Sequence, residues 1–389
     1  MKNNKKVLVY NHAFFLISET FIYQQASGLA KNYDVHLLSG EFKNPHGFDV
    51  NMFKQHVITK PESVFQRAYG KWIRKKHQAR LNLDRASFLK LKKLLTDEDL
   101  VAIHAHFGDN AIKILGYARA FSIPLVASFH GHDASGMLKD KRYAEKLPEL
   151  FEYATAITIS SKHMFENLKL EPWKDKVHVI PYGINAEDFR IESKQSQNGT
   201  VKILHSGRVV PTKGVPDLIH VFDELAGTYK NIELHIAGDG RELDKSKKLA
   251  SRSPHSGRIT FYGRVSQGEV KKLFSEADIF VLNSRTDEKG DMEGTPVTNL
   301  EAMCAGKAVV STIHAGIPDV IQHGENGLLA NEYANDELKD CIEKLITNPD
   351  LRKKLGENAK STIEKKYTNR VMQEKINRIF EEISNNRQS

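Results

Sequence analysis

Cysteine is almost missing from this chain, with Cys304 and Cys341 the only two in 389 residues. Both fall in helical patterns, so no disulfide framework and no cysteine-based zinc site can be built from them, and a reducing compartment fits. No apolar run is long enough to span a bilayer. The start, Met1-Lys-Asn-Asn-Lys-Lys, leads toward a short strand rather than a secretory leader. A cytoplasmic protein is expected, soluble or peripheral on the inner face of a membrane. The three-glycine dinucleotide fingerprint does not follow the first strand-like run at 6–10, which argues against a nicotinamide or flavin enzyme. There is no low-complexity segment and no repeat beyond two similar halves.

What is present is an alternation of short apolar runs with helical patterns, the signature of doubly wound α/β sheets. It runs once from residue 6 to about 180 and restarts at 202. The polar stretch 194–200 between them reads as a linker. The formal charge is +8, unevenly spread. Between Lys60 and Lys93 lie Arg67, Lys71, Arg74, Lys75, Lys76, Arg80, Arg85, Lys90 and Lys92, with Phe65, Tyr69, Trp72 and Ile73 interleaved at roughly helical spacing. Two readings stand: a basic amphipathic helix on an anionic membrane, or a solvated helix with its aromatics in the core. No nucleic-acid motif accompanies the charge, so nucleic acid is not an expected partner.

The most informative stretch is Glu293-Gly-Thr-Pro-Val-Thr-Asn-Leu-Glu301, two carboxylates with seven residues between them. Gly294 and Pro296 keep its front out of a helix, and Pro296 can open one. From Val297 the residues are helix-compatible as far as Gly306. The free N–H groups of such a helix start form an anion cradle, and the acids on either side suit hydroxyls. The apolar run 279–282 precedes this segment, and ligands of open α/β sheets sit beyond the carboxyl ends of strands. Upstream, Ser206-Gly207-Arg208-Val-Val-Pro-Thr-Lys213-Gly follows another strand. Gly207 lets a ligand approach the backbone. Arg208 is a planar fork for phosphate oxygens and Lys213 a compact second charge. Two cations facing a diphosphate can stand where other transferases use a divalent metal. No cofactor and no metal requirement is therefore expected.

Glu293-x7-Glu301 resembles the signature of retaining glycosyltransferases of family 4. The neighbourhood Gly290-Asp-Met-Glu-Gly-Thr-Pro, Glu301-Ala-Met and Gly316-Ile-Pro-Asp-Val-Ile is similar to the branch that includes colanic-acid and amylovoran glycosyltransferases. Gly207-Arg208-x4-Lys213-Gly resembles the family's donor-phosphate motif. The resemblance implies a GT-B fold: two Rossmann-like domains, 1–190 and 191–368, facing a central cleft, with 369–389 a helix returning to the first. It implies a nucleotide-sugar donor, UDP- or GDP-linked, and a glycan or lipid-linked acceptor in cell-surface polysaccharide synthesis. Glu301 would hold the ribose. Glu293 would bond donor-sugar hydroxyls, with the backbone from Gly294 through Thr295, Pro296 and Val297 to Thr298 beside it. Arg264, after the strand-like run 259–262, would lie at the base. A catalytically silent nucleotide-sugar-binding scaffold in a membrane assembly is the alternative.

In the first half, the run 124–129 leads into His130-Gly-His132-Asp133. A histidine just past a strand end can meet a sugar hydroxyl. The resemblance carries that role to His130 or His132, with His130 favoured. The spacing fits no standard zinc pattern. The run Ser18-Glu-Thr-Phe-Ile resembles the N-terminal loop of the same branch and reads either as a helix that Ser18 caps and whose positive end Glu19 favours or as an acceptor contact, and the polar stretch 284–291 is expected to be a mobile loop.

Overall fold

Strands buried on both faces must be apolar throughout, and such strands pair in parallel under covering helices. The computed structural model describes residues 4–16, 19–45, 47–191, 199–292 and 294–387. Its contacts divide the chain into two units, Met1–Gly183 with Asn369–Ser389, and Ile184–Thr368.

The first unit carries β1 (Lys6–Tyr10), β2 (Ala13–Phe14), β3 (Asp34–Ser39), β4 (Glu41–Phe42), β5 (Lys54–Val57), β6 (Leu100–His106), β7 (Leu125–Phe129), β8 (Ala156–Ile159) and β9 (Val177–Val179). Seven of them form one sheet in the order β5-β3-β1-β6-β7-β8-β9, while β2 and β4 pair separately. The edge strand β5 carries Lys54, Gln55 and His56, too polar for the sequence pattern to reveal. The C-terminal helix Asn369–Asn386 belongs to this unit. Met372, Ile376, Ile379, Phe380 and Ile383, at helical spacing, pack against Val7, Val9, Leu29, Val35 and Val101. Burying each such side chain contributes roughly 1.5–3 kcal/mol.

The second unit carries β10 (Val201–Ser206), β11 (Ile232–Ala237), β12 (Ile259–Gly263), β13 (Ile279–Leu282), β14 (Ala308–Thr312) and β15 (Leu328–Ala330). They form one sheet in the order β12-β11-β10-β13-β14-β15, parallel wherever strands pair. The order reverses between β10 and β13, the switch point outside which doubly wound sheets bind ligands.

Several local expectations shift. Ser18 lies outside the described residues. Glu19 is the N-cap residue of the helix Thr20–Leu29 without a capping bond, its carboxylate accepting instead from Asn11 Nδ2 at 3.1 Å. Pro296 is an N-cap residue with extended ψ, so its helix starts at Val297. The division between units falls at Gly183–Ile184, and 194–198 of the expected linker lies outside the described residues. The basic stretch holds two helices, Val64–His77 and Arg85–Leu95. Their aromatics divide: Ile73 is buried, whereas Phe65 is 88% exposed and Trp72 54%.

Candidate functional site

In the second unit, the carboxyl ends of β10 and β13 carry the two motif loops. After β10 the Gly207 N–H donates to Ala237 O at 3.0 Å and the Val209 N–H to Asp239 O at 2.9 Å, which ties the loop to the end of β11. Gly238 makes that approach possible, since a Cβ there would lie 1.8 Å from Gly207 O. A 3-10 turn, Pro211–Lys213, then ends at Gly214, whose φ is +61°. A Cβ on Gly214 would meet Asn283 Nδ2 at 2.4 Å, and that amide donates to Gly214 O at 2.8 Å. Glycine is thus required by conformation and by space. The two cations differ in setting: Arg208 is exposed, while Lys213 is only 6% exposed.

On the neighbouring strand, Gly294, Thr295 and Pro296 are buried, and Gly294 O accepts from the Gly316 N–H at 3.0 Å. The helix Val297–Cys304 begins without a side-chain cap and without an acid in its first turn, so its positive end is not offset locally. Buried polar atoms without a partner among the described residues collect here. They are Thr295 Oγ1, Thr298 Oγ1, Asn299 Oδ1, Asn283 Oδ1 and, beside the first loop, His205 Nε2. Most buried polar groups in folded proteins are paired, so orphans gathered at one sheet end mark a place for a polar ligand. Glu301 is half-buried on the same helix, and burial pushes its carboxyl up to about 7. Glu293 lies outside the described residues. Arg264 is exposed just past β12, at the same end of the sheet.

The stretch 284–291 makes hydrogen bonds to its own backbone and to Glu332. Asp287 Oδ1 accepts from the N–H groups of Lys289 and Asp291, each at 2.9 Å, whereas the side chains of Glu288 and Lys289 are exposed. Glu332 accepts from Thr286 N–H at 2.8 Å.

In the first unit, His130 follows β7 and is 8% exposed. Its Nε2 is 3.1 Å from His106 Nδ1, and its ring lies against Phe21 (4.5 Å between centroids) and Phe107 (4.8 Å). Tyr182 OH donates to His130 O at 2.9 Å. Burial drives the imidazole down to about 3, so it is neutral at ordinary pH. His132 is exposed. Asp133 is occupied by the fold: its carboxylate accepts from the N–H groups of Gly108 (2.9 Å), His130 (2.9 Å) and Gly131 (3.0 Å). Among the described residues no three His, Cys, Asp or Glu side chains are grouped to hold a metal ion. Sequence reasoning did not single out Asn283, His205, His106 or Tyr182 as functional, and Phe21 only as part of the Ser18-Glu-Thr-Phe-Ile run, for which acceptor contact is one of two expectations. The one available signal was His104-Ala-His106, two histidines on one face of an otherwise apolar strand.

Comparison with known proteins places this arrangement. A glycosyltransferase family 4 model matches residues 18–188, and a model for glycosyl transferases group 1 matches 187–362. An uncharacterised glycosyltransferase of Methanocaldococcus jannaschii is 30% identical over 302 residues, covering 75% of this chain and 78% of that protein. The amylovoran biosynthesis glycosyltransferase AmsK of Erwinia amylovora is 29% identical, over 60% of this chain and 58% of its own length. The crystal structure of Anabaena HepE with UDP and glucose superposes with a TM-score of 0.73 at 18% identity, covering 96% of this chain and 99% of the other. Fold and family thus define a glycosyltransferase of the GT-B class. The chain belongs to glycosyltransferase family 4, and its relatives include the amylovoran and colanic-acid branch.

Proposed function

We propose that the protein moves a hexosyl group from a nucleotide sugar to a hydroxyl of a growing glycan or lipid-linked oligosaccharide, with retention at the anomeric carbon. The observation that carries this reading is the set of buried polar atoms with no partner among the described residues, at the end of the sheet where the helix Val297–Cys304 starts and the loop carrying Lys213 leaves β10. Arg208 and Lys213 face the diphosphate together with the first-turn N–H groups and the hydroxyls of Thr295 and Thr298. Glu301 holds the ribose, Glu293 a donor-sugar hydroxyl, and Arg264 lies toward the base. His130, held neutral, exchanges hydrogen bonds with a sugar hydroxyl. The bond from the anomeric carbon to the β-phosphate oxygen breaks, and the leaving nucleoside diphosphate keeps the electron pair. The acceptor oxygen bonds to that carbon and its proton passes to the departing phosphate. Fixed positive charge stabilises the leaving group in the place of a metal.

HepE was crystallised with UDP and with UDP-glucose, and AmsK carries the name of a polysaccharide pathway, which together favour a nucleotide sugar and a polysaccharide product. The exposed Phe65 and Trp72, among the exposed Arg67, Lys71, Lys75 and Lys76, suit an anionic bilayer presenting the acceptor. Each exposed cation adds about 1 kcal/mol near such a surface.

A donor panel tests the reading. UDP- and GDP-sugars are scored by thermal shift and by slow hydrolysis, which needs no acceptor. One donor should stabilise the protein and be hydrolysed, and Glu293→Ala should lose hydrolysis. Hydrolysis at the parental rate in that variant removes Glu293 from the site. Stable binding with no turnover of any kind favours a silent scaffold.

A further inference from the structure

Asn283 and Arg285 follow β13 directly, and both reach back to the turn that carries Lys213. The Arg285 N–H donates to Thr212 O at 2.9 Å, and its Nε donates to Pro211 O at 3.0 Å. The guanidinium also pairs with Asp217, in the first turn of the helix Val215–Thr228. Its face lies 4.9 Å from the ring centroid of Tyr333. Tyr333 OH in turn donates to Thr286 O, and Thr286 N–H and Oγ1 donate to Glu332 at 2.8 and 3.3 Å. His314 Nδ1 meets the same carboxylate at 2.6 Å. The loop after β13 and the loop after β10 are therefore one bonded assembly within the second unit.

Nothing in this geometry offers Arg285 to a phosphate, because its fork is shared between a backbone carbonyl and Asp217 and its face is covered by Tyr333. We propose that Arg285 is a positioning residue whose guanidinium, through the carbonyl of Pro211 and its pairing with Asp217, fixes the turn presenting Lys213 and so sets the affinity of the second unit for a nucleoside diphosphate. The inference rests on the donor-site reading above. Four features make Arg285 suited to this. It lies outside the expected contact set. Its Nε bonds a backbone carbonyl, Pro211 O, so its effect passes to whatever that turn carries. Asn283, two residues earlier, holds the carbonyl that closes the same turn, Gly214 O. A lysine cannot reproduce it, having neither the planar fork nor the flat face.

The test measures UDP and GDP binding by calorimetry for the parent, Arg285→Ala, Arg285→Lys, Lys213→Ala and the double variant Arg285→Ala/Lys213→Ala, with melting temperatures alongside. Arg285→Ala should weaken nucleotide binding about tenfold, and the double variant should bind no worse than Lys213→Ala within about twofold, since both changes remove one coupled contact. Arg285→Lys keeps a charge for Asp217 and should retain most of the melting temperature while still losing affinity. If Arg285→Ala fails to fold, Arg285→Lys decides: parental affinity overturns the proposal, and reduced affinity in a folded protein supports it. Losses that multiply in the double variant also overturn it. A parent that binds neither nucleotide sinks the donor-site reading itself, whereas a parent that binds while Arg285 variants bind equally well sinks only the positioning role.

Discussion

Glu301 gives the sharpest quantitative expectation. Its carboxyl is pushed up to about 7 by burial, with no other cause of comparable weight. A ribose diol donates hydrogen bonds best to the ionised form, so binding should favour deprotonation. At pH 6 a group titrating at about 7 is ionised in about one molecule in eleven. A donor that requires the anion then binds about tenfold more weakly than at pH 8, about 1.4 kcal/mol. The assay is calorimetric titration with an intact nucleotide sugar, whose bridged diphosphate has no proton to gain in this range. Affinity should rise as pH increases from 5.5 to 7 and level off by 8, with close to one proton released per donor bound at pH 6. Glu301→Gln should bind more weakly at pH 8 by about 1.5–3 kcal/mol, the worth of a charged hydrogen bond, and should show no slope. The unliganded protein supplies an independent arm. The folded carboxyl keeps its proton up to about 7 while an unfolded one loses it near the ordinary value of 4.5. The folded state therefore loses stability as pH rises between those values, by up to about 3 kcal/mol. Glu301→Gln should accordingly gain melting temperature relative to the parent as pH is raised from 5 to 8. A flat binding profile in the parent, or a slope that survives in Glu301→Gln, refutes the reasoning.

Asp133→Asn leaves one of the three N–H groups now bonded to the carboxylate facing an amide donor, and should cost about 1–3 kcal/mol, read as a fall in melting temperature. An unchanged melting temperature would place those backbone groups elsewhere. Exhaustive chelation with EDTA should leave donor affinity unchanged, and affinity restored only by added magnesium or manganese would remove the two-cation account of Arg208 and Lys213. Phe65→Ser with Trp72→Ser should abolish co-flotation with anionic vesicles while preserving donor hydrolysis. Vesicle binding equal to the parent would assign that surface another role.

How much of this was legible in sequence depends on the range of the interaction. The helix beginning after Pro296 and the alternation of strands and helices are set by neighbouring residues, and neighbouring residues reveal them. The aromatic-basic stretch was half legible. Helical spacing showed that one face of 64–77 had to be different from the other. It could not say that Ile73 turns inward and Phe65 outward, because that is decided by the helix Arg85–Leu95 and the side chains it brings. The polar edge strand β5 has no pattern of its own and exists because β3 lies beside it.

The loop after β13 makes the limit plainest. Serine, arginine, threonine, aspartate, glutamate, lysine and glycine in succession have the composition of a solvated loop, and composition is all that a local reading can weigh. The partners of those side chains lie far along the chain: Pro211 and Asp217 for Arg285, Glu332 for Thr286. Those distances close only because β10 pairs with β13 and β13 with β14, which is a property of the sheet. The same argument applies in the first unit, where His106 and His130 meet because β6 and β7 are neighbours. Residues that belong to a local motif were therefore visible in advance, while the residues that hold the motif loops in place became visible only once the strands were in order.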